Sequence, residues 1–274
     1  MKFNKSAVSA IIILVALMTI IGLSGFNYLF GNGRNQSANV APHQKNNDST
    51  TGLPQPLAME KISFITEDKV KIAGDLYGVK NPAGWLVLVH MMPATKESYT
   101  DLAQRFQNLG YESLAIDLRG HGESDMGPNG YLNFSDSDNQ KSILDLESAA
   151  DYLTKNRGAT QSKIIFIGAS IGANLSLQYI SEHQEYKIVI LLSAGLNYRG
   201  IKTEPLVKNL KAGQKVFFIS SRDDDNNASE NQTLYDLTSN DVFKKIKIYD
   251  SGGHGTDILN NQSDLMELII EFIG

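Results

Sequence analysis

Six short apolar runs restrict what this chain can fold into: WLVLVH (85–90), YESLAID (111–117), KIIFIG (163–168), KIVILLS (187–193), KVFFIS (215–220) and KIKIYD (245–250). Most are nearly continuous in apolar residues, as strands buried on both faces must be. Stretches with helical spacing lie between them. Tyr99, Leu102, Phe106 and Leu109 share one side of a helix over 98–109 that Gly110 ends, and Ile143, Leu146, Ala150 and Leu153 share one side of a second. Further helices are predicted over 171–183, near 228–238 and over 263–273. Ahead of them, KISFIT and VKIAGDLYG read as a hairpin around Glu67-Asp68-Lys69. Strand–helix alternation of this kind predicts an α/β fold: a mainly parallel sheet with helices on both faces. Ligands of such sheets bind beyond the carboxyl ends of the strands, so the residues just after each run carry the functional information.

The first 58 residues are of another kind. Lys2 and Lys5 precede an uncharged stretch, residues 7–30, long enough to cross a bilayer as a helix. An uncleaved signal anchor over 1–30, a cleaved signal peptide ending near Gly22-Leu23-Ser24, and a buried soluble helix are the three readings. The two lysines favour an N-terminus inside and a catalytic part outside. The expected location is therefore a membrane anchor with an extracytoplasmic domain, or secretion if the segment is removed. Residues 31–58 are rich in Asn, Gln, Ser, Gly and Pro, and read as a flexible polar tether. The folded domain is expected over 59–274. The net charge is −5 and no basic block is present, which argues against a nucleic-acid partner. There is no cysteine, so disulfides, thiolate nucleophiles and zinc–thiolate sites are excluded.

At the end of KIIFIG stands Gly168-Ala169-Ser170-Ile171-Gly172, directly before a helical pattern. A serine between glycines at a strand-to-helix turn is the pattern of a nucleophile elbow, with the hydroxyl raised above the sheet and a helix N-terminus beneath it. Such a serine needs a base. Of the five histidines only His183 and His254 follow it, and only His254, in YDSGGHGTD, lies just past a strand. The acid that steadies the base is expected after KVFFIS, where Asp223, Asp224 and Asp225 are consecutive. Chemistry alone does not choose among the three. A calcium loop is the rival reading of that run, but its spacing is not that of an EF-hand, and no metal is expected. Two backbone N–H groups should form an oxyanion hole. One belongs to Ile171; the other comes from the loop His90-Met91-Met92-Pro93, where Met91 or Met92 supplies it because proline has no N–H.

HMMP, DLRGHGES (117–124), GASIG, and S-x-x-D followed by GGHGTD stand in the order found in α/β-hydrolases. Over about residues 60–274 the chain resembles that family, and within it the small, uncapped serine esterases of the dienelactone-hydrolase-like or peptidase-like branch. The resemblance implies Asp224 as the acid and Met92 as the second oxyanion donor. It also implies that Asp117, Arg119 and His121 shape a loop and do no chemistry. Met91 stands where the family usually has glycine. The link between KIVILLS and KVFFIS has room for a short loop and one helix, not a lid domain, while 124–140 can cover part of the mouth. The expected activity is hydrolysis of a small-molecule carboxylic ester by Ser170, His254 and Asp224, with Met92 and Ile171 as oxyanion donors and no cofactor. A serine peptidase or acyltransferase on the same fold is the second reading. A membrane-tethered binding protein on a hydrolase scaffold is the third.

Overall fold

The computed structural model describes residues 55–274. The predicted anchor, and the tether up to residue 54, lie outside the described residues. Among the described residues no helix is long and apolar enough to cross a membrane.

Eight strands form one sheet in the order β1-β2-β4-β3-β5-β6-β9-β10. The strands are β1 (Gln55–Ile65), β2 (Lys71–Lys80), β3 (Gly84–Val89), β4 (Tyr111–Ile116), β5 (Ile164–Ala169), β6 (Ile188–Leu192), β9 (Lys215–Ser221) and β10 (Phe243–Tyr249). Strand β2 runs antiparallel to both neighbours, β1 and β4; from β4 to β10 every pairing is parallel. A separate two-residue hairpin, β7 (Asn197–Tyr198) with β8 (Ile201–Lys202), follows β6.

The helices that matter for the site are α1 (Thr100–Asn108), α2 (Asp136–Gln140), α3 (Ile143–Arg157), α4 (Ile171–Glu182), α5 (Thr203–Asn209), α6 (Asn227–Leu237), α7 (Asp257–Asn261) and α8 (Leu265–Ile273). Side chains alternate across each strand, so one run feeds two cores. Val87, Val89 and Phe166 pack with α3 and α4 on one face. Leu86, Leu88, Ile165 and Ile167 pack with α1 and α8 on the other. That double burial is why the runs are continuous in the sequence. Edge strand β10 is different: Lys244, Lys245 and Lys247 lay their charges over Tyr235, Phe217 and Tyr249, which keeps a free edge from pairing with another chain.

Strand β1 starts at Gln55, inside the segment read as tether. Gln55 and Pro56 pair with Lys80 and Val79 before a register shift that ends at Met59. This edge strand is exposed through residue 61, so it carries no buried alternation for a sequence reading to find. Proline is tolerated there because an edge need not donate on its outer side.

The DLRGHGES segment is a buried clamp. Asp117 is fully buried. Its carboxylate accepts from the Lys96 amide (2.9 Å), the Lys96 ammonium (2.8 Å) and the Glu123 amide (2.9 Å). A side chain at Gly122 would collide with that carboxylate. Arg119 donates to Asp145 and Asp68, tying the loop to α3 and to the β1–β2 turn. His121 stacks on Tyr131 at 4.2 Å. Asp117→Ala removes the acceptor of two amides and one of the three carboxylates around the buried Lys96 ammonium, leaving Glu97 and Glu123, so we expect a loss of about 2–3 kcal/mol in urea-unfolding free energy. An unchanged midpoint would contradict this account of the clamp.

Candidate active site

Ser170 adopts φ 54°, ψ −118°, between the last residue of β5 and the first of α4. A non-glycine residue in that region is strained and persists only where its surroundings hold it. They do so from both sides. The Ser170 amide donates to the Leu192 carbonyl at 2.8 Å, and the Ser170 carbonyl accepts from Ala173 and Asn174 to start the helix. A Cβ on Gly168 would strike the Gly172 carbonyl, and one on Gly172 would strike the Val89 and His90 carbonyls. The two glycines therefore let α4 start hard against the ends of β3 and β5. Ser170 remains partly exposed at the rim.

On the other side of β5, the loops after β9 and β10 meet. His254 Nδ1 lies 2.7 Å from Asp224 Oδ2. The run of three carboxylates divides by position. Asp224 faces the imidazole, and its carbonyl accepts from Asn227 at the start of α6. Asp223 accepts from the Gly252 and Gly253 amides at 3.0 and 3.1 Å and so holds the histidine loop. Asp225 is exposed, at φ 42°. The loop is also tied by Ser221, which donates to the Gly253 carbonyl (2.6 Å), and by buried Ser193, which accepts from Gly255 (2.9 Å). Among the described residues, no hydrogen bond joins Ser170 to His254, and no group of carboxylates and histidines is arranged to hold a metal ion.

The loop after β3 puts Met91 and Met92 on opposite faces of the sheet, each half-buried against a different core. Met91 fits where a glycine is usual because Gly255 opposes it: a Cβ at Gly255 would lie 2.6 Å from Met91 Sδ. His90 pins this loop from within. Its Nδ1 lies 2.9 Å from the Met91 carbonyl, and its Nε2 lies 3.0 Å from the Leu118 amide. The first contact needs Nδ1–H and the second needs a bare Nε2, so the ring must be neutral. Burial, with His121 beside it, lowers the His90 pKa from 6.5 to about 4. The loop that carries Met92 and the helix start that carries Ile171 lie side by side, since Gly172 abuts the Val89 and His90 carbonyls.

Sequence reasoning passed over the β7–β8 hairpin. Arg199 and Gly200 form its two-residue turn, both at positive φ (52° and 81°), as a type I′ hairpin requires. Arg-Gly is a weak signal for such a turn. The hairpin carries Tyr198 to within 6.2 Å of the His254 ring, measured between centroids at an edge-on angle of 79°. Gln140 of α2 donates to the Arg199 carbonyl at 3.1 Å, which joins the end of the 124–140 segment to the hairpin turn. No lid domain follows β6. His183 is half-exposed, 3.3 Å from Glu185, and lies at the end of α4 away from the rim.

The family model Hydrolase_4, described as serine aminopeptidase, S33, matches residues 80–250. The polyketide transferase ATR5 of Stachybotrys chlorohalonatus is 33% identical over 124 residues, which are 44% of this chain and 39% of that protein. The match thus spans well under half of that relative's length. Among solved structures, the esterase Pf2001 of Pyrococcus furiosus superposes with a TM-score of 0.65 at 20% identity, over 79% of this chain and 92% of that one. A dienelactone hydrolase from Anabaena variabilis gives 0.65 at 18% identity, over 80% and 97%. At such identities these structures establish the fold.

The neutral His90 makes a prediction about pH. At His90 the folded state holds fewer protons than the unfolded state between pH 6.5 and about 4, so this contribution to stability is full above that window and is lost as pH falls through it, while Asp145, which burial raises to about 6, acts in the opposite direction. Thermal melts should show this slope, and His90→Gln, which keeps an acceptor for Leu118, should flatten it. Burial lowers His121 in the same direction, so some slope remains. Identical slopes in both proteins would exclude His90 as a source.

Proposed function

The chain belongs to the Hydrolase_4 (serine aminopeptidase, S33) family of α/β-hydrolases, and from that premise we propose that it is a serine hydrolase that cleaves small carboxylic esters. The observation that carries this reading is the 2.7 Å contact of His254 with Asp224, on the same rim as a serine held at a strained elbow. Ser170 Oγ attacks the ester carbonyl while His254 Nε2 takes its proton. Asp224 accepts from Nδ1–H, which fixes the tautomer and steadies the imidazolium. The Ile171 and Met92 amides stabilise the oxyanion. His254 then returns the proton to the leaving alcohol, and water, activated by the same imidazole, releases the acid. No step calls for a metal or an organic cofactor. The apolar segment 7–30 is retained in this reading as a membrane anchor or export signal, which places the domain outside the cytoplasm.

An acyltransferase is the second reading, favoured by the similarity to a polyketide transferase. The two share the acyl-enzyme and differ in the acceptor. The family's description keeps a peptidase in view on the same machinery.

A panel of p-nitrophenyl esters of increasing chain length, run with matched aminoacyl p-nitroanilides and with an added alcohol, separates these activities. Esters should be the better substrates. Ser170→Ala should lower kcat by about 10⁴-fold or more, and Asp224→Asn by roughly 10⁴-fold, with circular dichroism unchanged. Asp225→Asn should stay within about threefold of wild type, because exposed groups outside the site contribute little. Equal activity in wild type and Ser170→Ala would refute the proposal, and a wild-type protein inactive on the whole panel would leave a binding role for the scaffold.

A further inference from the structure

The β7–β8 hairpin sets a phenol beside the elbow serine and the histidine, and its surroundings dictate which way its proton points. The Tyr198 ring lies flat on Gly195, where a Cβ would be 2.5 Å from the ring. Gly195 is in turn clamped by α4: Asn174 donates to the Gly195 carbonyl and accepts from its amide, both at 3.0 Å, and also donates to the Ile201 carbonyl. The hairpin therefore moves with the helix that Ser170 starts.

The hydroxyl is just as constrained. Asn231 Nδ2 lies within 2.9 Å of the Ala194 carbonyl, the Asn227 carbonyl and Asn227 Oδ1, which share its two protons. With Oδ1 so engaged, the Asn227 amide group must point the other way, and it donates to the Ala194 carbonyl at 2.9 Å and to Tyr198 Oη at 3.2 Å. The phenol thus accepts from Asn227 and keeps its own proton for another partner, with the His254 ring 6.2 Å away between centroids. Burial first, then the Asp224 and Glu230 carboxylates, pushes the Tyr198 pKa up to about 12, so the group is a neutral donor across the working range.

The sheet order fixes the side of the serine on which Tyr198 stands. The oxyanion loop follows β3, on one side of β5; the loops of Tyr198, Asp224 and His254 follow β6, β9 and β10, on the other. The group that leaves, or the alcohol that enters, must lie on the histidine side, because His254 exchanges its proton.

We infer that Tyr198 is a catalytic residue whose hydroxyl donates a hydrogen bond to the alcohol oxygen as it leaves in acylation or enters in transfer. This rests on the serine-hydrolase reading above. When the tetrahedral intermediate collapses, the carbon–oxygen bond to the leaving group breaks and its electron pair stays on that oxygen. The oxygen takes the proton from His254 Nε2. Tyr198 keeps its own proton throughout and stabilises the charge that builds on the oxygen. Such help matters for a basic alkoxide and little for p-nitrophenolate, which leaves unprotonated.

The test compares wild type with Tyr198→Phe on ethyl butyrate and p-nitrophenyl butyrate, and measures the rate of labelling by a fluorophosphonate as a check on Ser170 and His254. Phenylalanine keeps the ring over Gly195. The expected result is a fall in kcat/KM of about tenfold or more for the ethyl ester, with the p-nitrophenyl ester and the labelling rate within about threefold. Equal losses on both esters, no loss on either, or loss of labelling would overturn the role given to Tyr198 while leaving the hydrolase reading in place. A wild-type protein that cleaves neither ester and is not labelled would overturn both.

Discussion

The structure turns on how closely helix α4 approaches the ends of β3 and β5. Two backbones meet there with no room for a side chain at Gly168 or Gly172. That contact forces the chain to reverse within one residue, and the residue that absorbs the reversal is Ser170, at φ 54°. A hydroxyl raised above a sheet edge, backed by the free N–H groups of a helix start, is the direct geometric result. Nearly everything else at the rim serves to hold groups against this fixed point.

Two sets of buried polar contacts do the holding, one on each side. On the β3 side, the Asp117 carboxylate and the neutral His90 ring fasten the two ends of the methionine loop, the first through the Lys96 amide and the second through the Met91 carbonyl. On the β10 side, Asp223, Ser193 and Ser221 bind the glycine-rich loop by its backbone, and Asp224 then meets His254. In both, short polar side chains grip backbone groups. Such grips fix a loop without requiring any particular side chain at its tip, which leaves the tip free for chemistry. Met91 illustrates the tolerance. A bulky residue stands at a position usually given to glycine, and the opposing Gly255 supplies the space.

Much of this was legible in the sequence because the features that carry it are local. Strands buried on both faces read as continuous apolar runs, and the elbow and histidine loop announce themselves by glycines at strand ends. Where a feature depends on distant partners, the sequence is silent. Asp223, Asp224 and Asp225 are chemically identical, so residue chemistry does not choose among them; the family resemblance points to Asp224, and the path of the β9 loop brings that one to the imidazole. The first residues of β1 lie on an exposed edge and carry no periodic pattern. Tyr198 reads as an ordinary loop tyrosine; its place at the site comes from a two-residue hairpin, from Gly195 beneath the ring, and from an asparagine pair on α6. The membrane segment that the sequence suggests lies outside the described residues.

The central claim is that Ser170 is the nucleophile and that the His254–Asp224 pair makes it one. The most direct measurement is peptide mapping by mass spectrometry after inactivation with diisopropyl fluorophosphate, on wild type and on His254→Ala. The account predicts a single phosphoryl adduct on the peptide containing Ser170 in the wild type, and slowing by several orders of magnitude without the imidazole. An adduct on another serine, or one at Ser170 that forms equally fast in both proteins, would contradict it.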